Sequence, residues 1–207
     1  LMSQSYGVAW DGTNWVVVGE PNIGSGLGKR IMVSTDGMSW TGATSGDTYF
    51  NIGYGVAWDG SQWIAAGVGA QSIIISNDGF NWSATTNVGA TLLKRGKATA
   101  YNSTSGYVEG AGTMGAPLQS VIYSTNNLIW SGTTNSGSVL GLEGYGIAWN
   151  GYNWVAVGYT GIAGSNSPII YSYDGLYWYW SSNAATITSG YVYCVASNPG
   201  PDLFPSR

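Results

Sequence analysis

Internal repetition is the feature that most constrains this chain. Residues 6–12 read YGVAWDG, residues 54–60 repeat the same letters, and residues 145–151 read YGIAWNG. Each is followed by an apolar run that starts with tryptophan and ends with glycine, as in WVVVG at 15–19 and WIAAG at 63–67. Because one such unit cannot bury its apolar face alone, tandem copies predict units stacked in an array.

A third segment recurs in register with these. It reads IMVSTDGMSW at 31–40, IIISNDGFNW at 73–82, VIYSTNNLIW at 121–130 and IIYSYDGLYW at 169–178. The chain therefore contains four copies of one unit.

The third copy opens differently from the others. Its segment ATAYNSTSGYVEGAG at 98–112 places Tyr101 at the position of the first tryptophan and Tyr107 at that of the second. We take Gly96 as its equivalent of the first repeated glycine. Near the end, YCVASNPG at 193–200 resembles the opening motif again and predicts a partial fifth copy. The copies are roughly 40 to 50 residues long, which is typical of a propeller blade.

Each unit holds four short β-prone runs, which in the first copy are 6–10, 15–19, 30–34 and 39–43. Asp-Gly, Asn-Gly and Asn-Asn pairs between runs indicate tight turns. We therefore predict an all-β fold, a β-propeller of four-stranded antiparallel blades with the first strand innermost. It has four full repeats and a partial fifth, with an arc of a larger propeller left open as an alternative. The predicted single domain covers 1–207, with repeats at approximately 6–53, 54–94, 95–144, 145–192 and 193–207.

The third segment resembles the Asp-box of sialidases and related BNR-like propellers, whose usual form is S-x-D-x-G-x-T-W. Here it reads S-x-D-G-x-x-W at 34–40, 76–82 and 172–178, one residue shorter between Asp and Gly, and S-x-N-N-x-x-W at 124–130. The resemblance implies the architecture, with the box on the turn between the last two strands of a blade. It does not extend to the sialidase active site, because the arginine cluster of that site has no counterpart here.

Residues that recur in every copy are expected to serve the fold. Asp and Ser side chains accept backbone N–H bonds across a turn, glycine adopts positive φ, and tryptophan covers the hairpin. The tryptophans should form an aromatic layer between blades, although stacking on sugars is an alternative. The predicted structural residues are Trp10, Trp15, Asp36, Trp40, Trp58, Trp63, Asp78, Trp82, Trp130, Trp149, Trp154, Asp174 and Trp178.

Strand parity indicates where binding would occur. If the turns between strands one and two and between three and four lie at one pole, all other connections lie at the opposite pole. Those other connections vary between copies, and variable loops on a rigid scaffold usually carry function. The predicted ligand-binding residues are Glu20, Asp47, Tyr49, Phe50, Arg95, Glu143, Tyr159 and Trp180, accompanied by Lys29, Lys94 and Lys97.

Composition excludes several classes of function. Charged residues are 8% of the chain, with six Lys and Arg and a net charge of −4, so we expect no nucleic-acid partner. No stretch approaches the roughly 20 apolar residues of a membrane span, so no membrane insertion is expected. The chain has no histidine and a single cysteine, Cys194, so an internal disulfide and histidine-based catalysis are excluded. We expect no cofactor and no metal.

These features favour a non-catalytic module that binds glycans or another surface, located outside the cell or on a particle. One alternative is a structural subunit of a virion, fibre or surface layer, with homo-oligomers formed through an unpaired strand edge. Another is a fragment of a larger propeller related to glycoside hydrolases. Hydrolysis would need two carboxylates at a defined separation. The acids outside the repeat pattern are Glu20, Asp47, Glu109, Glu143 and Asp202.

Overall fold

The computed structural model describes residues 2–25, 28–86, 92–102, 105, 107–114, 119–160, 167–183 and 191–197. The described chain is almost entirely β-structure. Three short helical turns interrupt it, at Ile23–Ser25, Gly46–Thr48 and α1 (Ser136–Val139). Within these residues, no helix has the length and apolar character to span a membrane.

The strands follow the repeat. They are β1 (Met2–Trp10), β2 (Trp15–Pro21), β3 (Ile31–Ser34), β4 (Thr41–Gly42), β5 (Phe50–Trp58), β6 (Trp63–Gly69), β7 (Ile73–Ser76), β8 (Trp82–Ala84), β9 (Leu93–Asn102), β10 (Tyr107–Met114), β11 (Val121–Ser124), β12 (Ser131–Gly132), β13 (Glu143–Trp149), β14 (Trp154–Tyr159), β15 (Ile169–Ser172) and β16 (Tyr179–Trp180).

Every four consecutive strands form one antiparallel meander. The first sheet is β1-β2-β3-β4, the second is β5-β6-β7-β8, and β9 to β12 and β13 to β16 form two more in the same order. A single residue pair, Thr113 with Glu143, joins the last two sheets. The first strand of each sheet contacts the first strand of the next, from β1 through β5 and β9 to β13. The predicted β-propeller, with four blades and the first strand innermost, is confirmed.

The third blade corrects our alignment of its opening. Tyr101 takes the position of the first tryptophan, as predicted, but its cross-strand partner is Val108, whereas Tyr107 pairs with Asn102. The prediction that Tyr107 replaces the second tryptophan is therefore wrong. The hairpin continues one residue pair further than in the other blades. Because of this extra pair, the sequence alone suggested the wrong cross-strand partner for Tyr101.

Gly96 is also not the counterpart of Gly55. Gly96 pairs with Gly112 as Gly53 pairs with Gly67, so Gly96 corresponds to Gly53. Ala98 is the true equivalent, because a Cβ added to Gly55 would lie 2.9 Å from the Ala98 Cα. The third blade thus keeps close backbone packing without the glycine.

Serine and aspartate side chains build the turn between the third and fourth strands. In the first blade, the Asp36 Oδ1 accepts hydrogen bonds from the Met38 and Ser39 backbone N–H groups at 2.8 and 2.7 Å. The Ser34 hydroxyl donates to the same carboxylate at 2.9 Å and accepts from the Gly37 N–H at 2.9 Å. Gly37 has φ of 73°, where a side chain would be strained. The recurring residues of the box therefore build a self-contained turn.

The third blade builds the same turn from amides. Asn126 Oδ1 accepts from the Leu128 and Ile129 N–H groups at 3.1 and 2.9 Å. Asn127 replaces glycine with φ of 61°, a conformation that Asn tolerates better than most residues. Its side chain donates to the buried Asp59 carboxylate of the second blade. In this copy the glycine of the turn is therefore replaced by an asparagine that also forms a hydrogen bond to the neighbouring blade.

Apolar side chains fill the space between successive blades. Val16, Val18, Ile31 and Val33 of the first sheet form one buried cluster with residues of the second sheet that include Trp63. Two further clusters join the second blade to the third and the third to the fourth. The structure places seven of the predicted tryptophans between blades: Trp58, Trp63, Trp82, Trp130, Trp149, Trp154 and Trp178.

The first sheet has one uncovered face. Val8 is 58% exposed, while Val56 and Ile147 at the same repeat position are 9% and 5% exposed. Trp10 and Trp15 are 41% and 37% exposed. Each later sheet is covered on this side by the sheet before it, and within the described residues no comparable contact joins the fourth sheet to the first.

An open groove of about 450 Å³ lies on this face, lined by Met2, Ser5, Val17, Met32 and Trp40. Within the described residues, no second blade packs on Trp10, Trp15 and Trp40, so their place between blades stays a prediction. Their local structure matches that of their counterparts, and only the contact with a preceding blade differs.

Residues 191–197 lie against the other end of the array. A Cβ on Gly146 would meet the Val195 N at 3.0 Å and the Cys194 Cα at 3.2 Å, much as Gly7 faces Gly55. The segment forms one bridge, from Tyr191 to Tyr159. It occupies the place of a fifth innermost strand without a full ladder.

Candidate functional site

Five side chains at equivalent repeat positions form a continuous row, four on the innermost strands and the last in the segment 191–197. We call it the axial row: Tyr6, Tyr54, Lys97, Tyr145 and Tyr193. The Tyr6 and Tyr54 ring centroids are 5.4 Å apart, and those of Tyr145 and Tyr193 are 5.3 Å apart. Between the two pairs, the Lys97 Nζ lies 3.8 Å from the Tyr54 centroid and 5.9 Å from that of Tyr145. The propeller symmetry therefore gathers four phenols and one cation.

A carboxylate is bonded to a phenol in two places along the axial row. The Tyr6 hydroxyl is 2.7 Å from the Gln4 Oε1 and 3.4 Å from the Glu20 Oε2. The Tyr145 hydroxyl donates to the Glu143 carboxylate. The bonded glutamates lie towards the pole of the variable loops, since β13 begins at Glu143 and Glu20 is next to the last residue of β2.

These contacts raise the pKa of two phenols. Burial raises the pKa of Tyr145, and the hydrogen bond and negative charge of Glu143 raise it further. The pKa of Tyr6 is raised by the same kinds of cause, with desolvation first and then the charge of Glu20. A tyrosine is already neutral at physiological pH, so both groups act there as ordinary hydroxyl groups.

Lys97 is the cation at the centre of the row. Desolvation lowers its pKa, the negative charge of Glu143 raises it, and the positive charge of Arg95 lowers it, with a net decrease. Its contact with the Tyr54 ring is a cation–π interaction, which becomes stronger as water is removed. The ammonium group is thus held in position and carries three hydrogen-bond donors.

A second pair of rings extends the site at the end of the array. Tyr159 and Tyr191 stack with centroids 4.3 Å apart and an interplanar angle of 13°, and Tyr191 also stacks on Tyr193 at 5.7 Å. A side-chain hydrogen bond to Tyr159 is the largest cause of a raised pKa for Tyr191. Tyr191 and Tyr193 are 52% and 67% exposed, so about half or more of each residue is accessible.

The arrangement suits binding of a neutral polyhydroxylated ligand. Ring faces bind C–H surfaces, while phenols, carboxylates and an ammonium bind hydroxyl groups. Among the described residues, no three His, Cys, Asp or Glu side chains come together as a metal site would require.

Four predicted ligand-binding residues lie at or beside the axial row. Glu20 is bonded to Tyr6, and Glu143 is bonded to Tyr145. Tyr159 pairs with Glu143 across the strands. Arg95 is close enough to affect Lys97 electrostatically. Residues from three sheets thus converge, although sequence reasoning placed them only on one face.

The other four lie elsewhere. The Asp47 carboxylate is 2.9 Å from the Lys29 Nζ and 3.8 Å from the Arg30 Nη1, so it joins two loops of the first blade. Tyr49 packs against the first core cluster. Phe50 is 1% exposed in that cluster, so its ring is not available to a ligand. Trp180 is 56% exposed on β16 and its Nε1 donates to the Val139 carbonyl at 3.2 Å.

Our sequence reasoning missed the axial tyrosines as binding residues. Tyr6, Tyr54 and Tyr145 begin each copy of the YG motif and were treated as part of the repeat. The available signal was the large exposed side chain beside a glycine that packs on the next blade. Of the acids considered for hydrolysis, Asp202 and the side chain of Glu109 fall outside the described residues.

Comparison with known proteins supports the fold. Neither the protein-family models nor the curated proteins include a match. A chain of a nidogen/laminin complex matches with a TM-score of 0.61 and 12% identity, over 94% of this chain and 68% of the other. The GH74 xyloglucanase from Xanthomonas campestris matches with a TM-score of 0.60 and 18% identity, over 94% of this chain and 26% of the enzyme. YCF48 from Cyanidioschyzon merolae matches with a TM-score of 0.53 and 14% identity, over 84% and 55%. At these identities the likeness shows a shared propeller-type fold, and this chain spans only about a quarter of the xyloglucanase.

Proposed function

We propose that this propeller is a non-catalytic glycan-binding module whose ligand lies on the axial row. The observation that carries the proposal is the uninterrupted series from Tyr6 through Tyr54, Lys97 and Tyr145 to Tyr193, with ring contacts of 5.3 to 5.4 Å at both ends. Sugar recognition uses aromatic faces together with neutral and charged hydrogen-bonding groups, and both are present along this row.

The phenols bonded to carboxylates supply polar groups beside the ring faces. The Tyr145 hydroxyl donates to Glu143 and the Tyr6 hydroxyl to Glu20. We assign both pairs to the recognition of sugar hydroxyl groups. Two matching structures are GH74 enzymes, one of them a xyloglucanase. They support a polysaccharide as the ligand class, and the chemistry of this chain's own row supports recognition.

The proposal places the protein outside a cell or on a particle surface, where polysaccharides are met. The supporting observations are the 8% charged residues and the 15 tyrosines of the sequence, since aromatic and neutral polar groups are those that recognise sugars.

Isothermal titration calorimetry with neutral oligosaccharides tests the proposal. Tyr6→Ala and Tyr193→Ala remove rings that are 46% and 67% exposed, so folding should be preserved. Loss of one stacking ring should cost about 1 kcal/mol, or about fivefold in Kd. Met38→Ala, a change at a side chain that is 83% exposed on a turn of the first blade and belongs to neither proposed binding surface, is the control. Wild-type protein that binds no oligosaccharide, or axial variants with unchanged Kd, would contradict the proposal.

A second candidate function is assembly through the uncovered face of the first sheet. Val8 and Trp15 are exposed there, whereas Val56, Ile147, Trp63 and Trp154 at the same repeat positions are buried. Such surface often marks a protein interface. Light scattering on the purified chain distinguishes the two functions, since ordered oligomers that dissociate in Val8→Lys and bind no glycan would favour assembly.

A further inference from the structure

A cluster of five tyrosines marks the fourth blade only, at the pole opposite the variable loops. We call it the tyrosine patch: Tyr152, Tyr171, Tyr173, Tyr177 and Tyr179. Tyr152 lies in the turn between β14 and the strand before it, and the others belong to β15, β16 and the turn that joins them. None of these residues belongs to the axial row.

The rings are in contact as one group. The Tyr152 and Tyr173 centroids are 5.5 Å apart and nearly perpendicular at 76°. Tyr173 meets Tyr171 at 5.6 Å and 78°. Tyr171 stacks on Tyr179 at 5.5 Å and 27°, and Tyr179 meets Tyr177 at 5.3 Å. Because some neighbouring rings are nearly perpendicular and others are stacked, the rings of the patch lie in more than one plane.

The repeat shows that the fold does not require these rings. At the positions of Tyr152, Tyr173, Tyr177 and Tyr179, the first blade has Thr13, Thr35, Ser39 and Thr41, and the second has Ser61, Asn77, Asn81 and Ser83.

These eight residues are all exposed, although a following blade packs against each of the two sheets. A further blade after the fourth would therefore leave the rings of Tyr152, Tyr173, Tyr177 and Tyr179 open as well. It would cover only Tyr171, whose first-blade counterpart Val33 is 1% exposed. Packing alone does not account for the four rings.

Size and charge indicate the ligand. The four outer tyrosines are 45% to 73% exposed, so together they offer roughly 400 Å² of aromatic surface. A stable protein partner buries about 800 Å² on each side, whereas a short glycan needs less. The nearby carboxylate of Asp174 is already bonded to the Leu176 and Tyr177 N–H groups at 2.8 and 2.9 Å. The patch therefore has hydroxyl groups and ring faces to offer and no free charge within it.

We propose that the tyrosine patch is a second carbohydrate-binding site, which takes a neutral polysaccharide chain. Ring faces stack on the C–H faces of pyranose units, and the phenol groups bond to their hydroxyls. The two sites lie at opposite poles of the propeller, so one molecule can hold two chains or two points on one surface.

The repeat itself supplies the test variant. The fourfold replacement Tyr152→Thr, Tyr173→Thr, Tyr177→Ser and Tyr179→Thr installs the first-blade residues at positions already shown to accept them. Electrophoresis through gels that contain xyloglucan, mixed-linkage glucan or galactomannan measures binding to such chains, and the fourfold variant isolates the share of the tyrosine patch. Wild type should be retarded by at least one polymer, and the fourfold variant should lose at least fivefold of that affinity.

Two controls separate this inference from the proposed function. Tyr6→Ala and Tyr193→Ala should leave part of the retardation in place, because the tyrosine patch is intact. The reverse graft, with Thr13, Thr35, Ser39 and Thr41 all changed to Tyr, should increase retardation. Equal retardation of wild type and fourfold variant overturns the inference, as does retardation by none of the polymers. A change in oligomeric mass of the fourfold variant, without a change in retardation, would instead indicate a protein partner.

Discussion

The uncovered face of the first sheet makes a quantitative prediction at two equivalent valines. Val56 is 9% exposed between the first and second blades, and Val8 is 58% exposed. Both lie on innermost strands in the same sequence, YGVAWDG, so strand propensity and local contacts are matched. The stability lost on changing valine to alanine at each position can therefore be compared directly. Only Val56 packs against a preceding blade, so the difference between the two losses measures that packing.

The magnitude follows from burial. Alanine lacks two methyl groups, each worth about 0.8 kcal/mol when buried, and a small residual cavity adds to the cost. Val56→Ala should lower the free energy of unfolding by about 2 kcal/mol. Val8→Ala should lower it by about 0.6 kcal/mol, because most of the side chain already contacts water.

Urea denaturation followed by tryptophan fluorescence and far-UV circular dichroism measures both values. Coincident transitions from the two probes support the two-state fit, and an unchanged m value shows that the denatured states are comparable. If Val8→Ala costs as much as Val56→Ala, the face is covered in solution and the reasoning is refuted.

The turns and the bond between the second and third blades give three further predictions. Asp78→Asn should change stability by less than about 0.5 kcal/mol, because Asn126 already serves in the third blade, whereas Asp78→Ala should cost about 1 kcal/mol in a urea titration. Hydrogen bonds from Ser39 and Met38, and from Ser34, lower the pKa of Asp36 to about 2, below its unfolded value. Its contribution to stability is therefore complete above about pH 4 and lost as the pH falls towards 2, so wild type should lose stability in this window more steeply than Asp36→Asn. Asn127→Gly removes a donor to the buried Asp59 carboxylate and should lower the free energy of unfolding by about 1 kcal/mol. A loss of stability in Asp59→Asn alone, with no added loss in the double variant, would verify the coupling.

Local repeats were sufficient to predict the sheets but not their neighbours. The YGVAW motif, the apolar run and the box define three strands and two turns through contacts within one unit, so sequence reasoning could identify them. Whether a residue such as Trp40 is covered depends on a separate blade. Trp40 and Trp82 have the same turn bond, with Nε1 donating to a glycine carbonyl at 3.2 and 2.8 Å, yet only Trp82 is buried at 3% exposure.

The candidate site was only partly predictable for a related reason. Glu20, Glu143, Arg95 and Tyr159 break the repeat pattern and could be noticed, while Tyr6 and Tyr54 belong to it and were given a structural role. Position relative to the axis, rather than variation, makes the tyrosines binding candidates. Phe50 was misjudged because a loop aromatic and the first residue of a buried strand look alike in sequence.

The order of packing bears on how the protein is made. Each sheet after the first is covered, on its earlier side, by a sheet that precedes it in the chain. On the ribosome, every new unit therefore emerges next to a finished apolar surface and need not wait for later sequence. Copy number can then change by duplication or loss of one unit without disturbing the surfaces that the others use, which is how repeat arrays lengthen and shorten.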